Sequence, residues 1–214
     1  MALPRDSQRT KVYKAEDSAL IPLRRPLDGI DEAIELAHRT MLRAGIRSRY
    51  GYAANSVSWP VNITASKGGR SWGGRESIAL GKHAGFTDHI LLHELAHTIH
   101  ARITAMVKRQ LRFGKNLYGT RTIELAGGAA HGWQFCQVYL DLVWFGMGRD
   151  AYEALKASFK RDKVKWHKPK ELTPEQRQQL AARLRSIRTT APVIDDQDWP
   201  VPNEWTWQWK QKSQ

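Results

Sequence analysis

Three histidines and a glutamate fall within eight residues, His93-Glu94-Leu95-Ala96-His97-Thr98-Ile99-His100. At about 100° per residue, a helix places His97 about 40° round from His93 and one turn on, with Glu94 at about 100°. Two imidazoles so spaced can share one zinc ion at about 2.0–2.1 Å, and the neighbouring carboxylate can reach a water on the same ion. Leu91, Leu95, Ile99, Ile103 and Met106 fall on the opposite side of such a helix. The pattern therefore predicts an apolar back for the core and a metal-binding front. A catalytic zinc takes three protein ligands and keeps one position open, so the stretch is one ligand short.

Three residues compete for that place. His100 points the right way, but it sits about 10 Å along the axis from His93, and it reads as a cleft or core histidine. The extended H-E-x-x-H-x-x-G-x-x-H pattern also fails, because Ile103 holds its last position. Glu124 has precedent, since a downstream glutamate completes other zinc peptidase sites, but no local helical frame aims it. His131 opens a segment whose apolar residues, Phe135, Val138, Tyr139, Leu142 and Val143, follow at helical spacing. Taken alone, a histidine there reads as a core residue bonded to a carbonyl. Beside a metal pair lacking one ligand, it is preferred over Glu124. Gly132 lets another backbone come close.

These residues need a frame. Residues 1–27 read as an arm with a short strand at Lys11–Lys14. A first helix is expected from Asp28 to Ala44, with a stripe of Ile30, Ile34, Ala37 and Met41 and with Gly45 as its stop. Ser56–Thr64, interrupted by Pro60, and Glu76–Leu80 read as two strands of a hairpin. The glycine-rich SKGGRSWGG between them does not have the spacing of a phosphate loop. The metal helix is expected over Thr87–Phe113, capped by Thr87 and Asp88. A loop over 114–130, a helix from His131 and another over Asp150–Arg161 follow. Thr173-Pro174-Glu175-Gln176 signals one more helix, and a tail with Trp205, Trp207 and Trp209 closes the chain. The whole reads as an α+β domain over 1–170, with a small antiparallel sheet on the active-site helix. Residues 171–214 form a C-terminal helix and tail, read as an arm packed on its own domain in preference to a partner-docking element.

The single cysteine, Cys136, excludes an internal disulfide and fits a reducing, cytoplasmic location. No apolar run is long enough to span a membrane, and no secretion signal opens the chain. The net charge of +13 raises a polyanionic partner. Basic residues gather at Lys156, Lys160, Arg161, Lys163, Lys165, Lys168 and Lys170, with Trp166 and His167 interleaved. A solvated helix end explains this run better than a nucleic-acid surface, because no nucleic-acid-binding module accompanies it.

HELAH followed by HGWQF resembles the paired motifs of SprT-like zinc metallopeptidases. With RDSQRTKVYKAED and HGWQFCQVYLDLV, residues 4–165 are more similar to a family of uncharacterised bacterial and phage metallohydrolases. That resemblance implies a zincin-like fold, zinc on His93, His97 and His131, and Glu94 as the catalytic base. Trp133 stands where the family commonly has proline, and Gln134 where it has an acidic residue, departures that bear on the cleft rim.

The expected activity is hydrolysis of a protein or peptide. The zinc polarises the scissile carbonyl and acidifies its water, while Glu94 moves the proton to the leaving amine. Tyr118, Arg121 and His100 are candidates to stabilise the oxyanion. The strand before the metal helix could pair with an extended substrate. The competing expectation is a basic nucleic-acid-associated protein with a structural metal. The two combine in a protease acting on DNA-bound proteins.

Overall fold

A helix built around an apolar back organises the molecule. In the computed structural model, which describes residues 6–55, 60–81, 86–113 and 124–167, Leu91, Leu92, Leu95, Ala96, Ile99 and Ile103 are fully buried. They lie on α4 (Asp88–Phe113). Before it come α1 (Arg9–Leu20), α2 (Ile30–Leu42), α3 (Ala44–Tyr50), and strands β1 (Asn62–Ser66), β2 (Trp72–Gly73) and β3 (Ser77–Gly81). After it come α5 (Trp133–Gly146) and α6 (Arg149–Arg161). The described residues all lie within one compact unit, Met1–Thr173. The helix expected from Thr173 and the tryptophan-rich tail lie outside the described residues.

The class is α+β, with a small mixed sheet of order β1-β3-β2. The expected antiparallel hairpin is not what forms. β1 pairs parallel with β3, Ile63 opposite Ile78, and β2 pairs antiparallel on the other edge of β3. A two-residue strand is too short to show alternation, so Trp72-Gly73 was invisible as an element, and its absence turned a crossover into an apparent hairpin. The fully buried Arg102 of α4 joins the sheet region to the helix: its guanidinium donates to the carbonyls of Arg75 at 2.8 Å, Pro60 at 3.0 Å and Ala53 at 3.4 Å.

The N-terminal segment also differs from expectation. Lys11–Lys14 is not a strand but part of α1, whose Val12, Ala15, Ala19 and Leu20 are buried. This face packs on α6, where Ala151, Leu155 and Phe159 are buried. In α2 the buried set is Ala33, Leu36, Ala37, Thr40 and Met41, whereas Ile34 is 43% exposed. Gly45 does not stop this helix. Arg43 turns extended, and Gly45 lies inside α3, where the Phe145 ring fills the space a Cβ would need. The expected α5 stripe of Phe135, Val138, Tyr139, Leu142 and Val143 is fully buried, and Cys136, Leu140 and Asp141 are buried with it. Asp141 is accommodated there by Arg49 and by the Tyr50 hydroxyl, which donates at 2.6 Å. None of the described helices is long and apolar enough to cross a membrane.

Candidate metal centre

Helix α4 presents His93 and His97 one turn apart, and α5 begins two residues after His131. The packing of α4 on α5 brings the three imidazoles together. Their donor nitrogens all lie within 4.8 Å of one another, the convergent His/Cys/Asp/Glu group found among the described residues. Glu124 is exposed and outside this group. His100 is buried, and its Nε2 donates to the carbonyl of Gly127 at 2.8 Å. Thr104, one turn on, accepts the Gly127 N–H at 2.9 Å. These two residues fasten both polar groups of a glycine with φ +79°, in the turn that delivers His131. His100 therefore serves the site by holding the loop of the third histidine. Tyr118 and Arg121 lie outside the described residues.

Carboxylates on α1 and just before it hold the imidazoles from behind. Asp6 Oδ2 is 2.6 Å from His131 Nδ1, and Glu16 Oε2 is 2.9 Å from His93 Nδ1, the latter a close contact off the N–H axis. Glu16 also accepts the Tyr139 hydroxyl at 2.7 Å through its other oxygen. Burial would push the Glu16 carboxyl up, but the charge and close contact of His93 and the hydrogen bond from Tyr139 bring it below the ordinary range. For His93, burial pulls down, and the carboxylates of Glu16 and Glu94 together outweigh it, leaving it raised. His97 has no such carboxylate. Burial, together with the neighbouring His93 and His131, depresses it to about 2, so it is a neutral imidazole. His131 is lowered chiefly by burial, against the pull of Asp6.

The donor set suits a divalent cation. A carboxylate can only accept, so each Nδ1 beside one carries the proton when its ring is neutral, and each Nε2 then presents a lone pair. The Nε2 atoms of His93 and His131 are 3.3 Å apart in a buried setting. A proton on one Nε2 bridges the pair as a hydrogen bond; with both rings protonated only at Nδ1 the two lone pairs repel, and a cation between them relieves that repulsion. Nitrogens bound to one tetrahedral zinc at about 2.0–2.1 Å stand roughly 3.3 Å apart. Carboxylates on the outer nitrogens are the usual means of fixing tautomer and ring orientation.

Aromatic rings wall the cluster. Phe135 stacks on His97 with centroids 4.3 Å apart and meets His93 and His131 at 5.0 Å. On the solvent side, Tyr13 lies parallel to His93 at 5.3 Å and edge-on to His131 at 5.2 Å.

Glu94 is 7% exposed. Burial pushes its carboxyl up to about 7; Glu16 adds to this, while the His93 charge and the Gly73 N–H oppose it. Strand β2 thus runs against α4 beside the acid. The approach is close enough that a Cβ on Gly73 would stand 2.2 Å from the Glu94 carbonyl oxygen. Residue-type reasoning passed over Asp6, Tyr13, Glu16 and Gly73. Tyr13 and Glu16 stand three apart, which is a usable signal once α1 is seen as a helix, whereas Asp6 lies before it. Gly73 gave no such sign.

No protein family, curated protein or solved structure matches the chain.

Proposed function

We propose that the protein is a metal-dependent hydrolase, most plainly a zinc peptidase, with His93, His97 and His131 as ligands and Glu94 as the catalytic base. The observation that carries this reading is the convergence of three imidazoles, those of His93 and His131 buried and that of His97 half-buried, beside the buried Glu94 carboxylate. A structural metal needs only the ligands. It gives no reason to bury an acid next to them at the cost of desolvating it. When bound, zinc would polarise the scissile carbonyl and lower the pKa of water. Glu94 takes a proton from the attacking water as its oxygen bonds the carbonyl carbon. It then returns the proton to the amine as the carbon–nitrogen bond breaks. Strand β2 packs against the helix at Glu94, while Asp6 and Glu16 fix the ring orientations. A zincin-like arrangement belongs to this proposal, with β2 rather than the Glu76–Leu80 segment against the catalytic acid.

A polyanion-binding role has one observation in its favour: Lys160, Arg161, Lys163 and Lys165 are exposed. Asp162 offsets part of this charge by pairing with Arg161 at 2.7 Å and Lys14 at 3.6 Å. Trp166 packs against the core, so it is not a free stacking platform. Lys168 and Lys170 lie outside the described residues. Binding to DNA with a steep salt dependence would support this role as an accompaniment to hydrolysis.

The test is turnover of unfolded protein and peptide-library substrates by zinc-loaded wild type and Glu94→Gln. Wild type should cleave. Glu94→Gln should keep its zinc and lose at least about a hundredfold in rate. Retained cleavage by the variant removes Glu94 from its role.

A further inference from the structure

None of the three residues considered from the sequence is shown near the place where an oxyanion would form. His100 is bonded to Gly127, and the other two lie outside the described residues. Tyr13 occupies a better position. Its ring covers His93 and His131, the two imidazoles whose Nε2 atoms converge. It is 37% exposed, whereas Phe135 and Tyr139, the other aromatics against these rings, are fully buried. Phe135 packs on the same imidazoles with no hydroxyl, so packing alone does not call for a phenol. The Tyr139 hydroxyl is committed to Glu16. The Arg9 guanidinium instead lies over the Tyr13 ring, 5.6 Å from its centroid. A phenol at the solvent rim of the site, beside a permanent positive charge, is the donor that growing negative charge on a carbonyl oxygen requires.

We infer that Tyr13 donates the hydrogen bond to the substrate carbonyl oxygen as it becomes negative, and that Arg9 is the positioning residue that holds the phenol. This rests on the hydrolase reading above. It makes the N-terminal helix part of the active site on the substrate side as well as behind the ligands.

The test uses the full chain loaded with cobalt(II), whose visible absorption reports coordination independently of turnover, and acetohydroxamate as an anionic probe of the open face. Tyr13→Phe should bind cobalt with the wild-type spectrum and bind acetohydroxamate roughly tenfold or more weakly. Arg9→Ala should weaken the probe in the same direction, and Arg9→Lys should recover part of the loss. Equal probe affinity in Tyr13→Phe and wild type overturns the assignment and leaves the hydrolase reading standing. An altered cobalt spectrum in Tyr13→Phe also overturns it, by showing that the hydroxyl shapes the ligands. Failure of wild type to take up cobalt overturns both.

Discussion

Glu94 sits where a carboxylate is costly. Its value in the metal-free fold, about 7, lies above the ordinary value of 4.5. The folded chain therefore favours the protonated form more than the unfolded chain does. The penalty is absent below about pH 4.5, grows as pH rises toward 7, and is constant above that. Glu94→Gln is expected to stabilise the metal-free protein at pH 8 by up to roughly 3 kcal/mol, and to leave stability at pH 4 nearly unchanged. Urea unfolding in the presence of a chelator measures both. A variant no more stable than wild type at pH 8 would show that the acid is not strained. A bound cation should shrink the difference, because it compensates the buried charge. His100 makes a contrasting case. Its substitution by alanine leaves the Gly127 carbonyl without this donor and should cost about 1–3 kcal/mol, yet leave one zinc per chain. Loss of zinc in that variant would return His100 to the ligand set.

At the scale of elements, α4 and α5 were legible because each carries an apolar stripe at one period, and the functional histidines sit at fixed angles to those stripes. Helix α1 was not. Val12, Ala15, Ala19 and Leu20 make a thin stripe, and the inward residue between them is Glu16, whose partners His93 and Tyr139 are distant in sequence. An inward carboxylate looks like a solvent residue until its partner is known. Glu16→Gln is accordingly expected to weaken zinc binding about 10- to 100-fold, read by competition with a chromogenic chelator. Unchanged affinity would reduce Glu16 to a packing role. Strand β2 was missed for a different reason: two residues carry no period. Its importance is steric and local. Gly73→Ala drives a methyl into the α4 backbone at Glu94, and the expected result is retained zinc with strongly reduced hydrolysis, since no ligand is displaced. Zinc loss together with activity would mean that β2 supports the whole site and not the acid alone.

For the whole molecule, the residue pattern foretold an α+β chain and the three converging histidines, while the sheet topology and the N-terminal carboxylates depended on contacts between distant segments. One central fact belongs to the fold: the packing of α4 on α5, backed by α1, brings three histidines together. Zinc bound to such a site should stabilise the native chain by mass action, by about 2.7 kcal/mol at a free concentration 100-fold above Kd. Metal analysis of purified wild type beside His131→Ala, Glu124→Ala and His100→Ala tests the assembly most directly. The expected result is one zinc per chain in wild type, Glu124→Ala and His100→Ala, and little or none in His131→Ala. Full zinc occupancy in His131→Ala would contradict it.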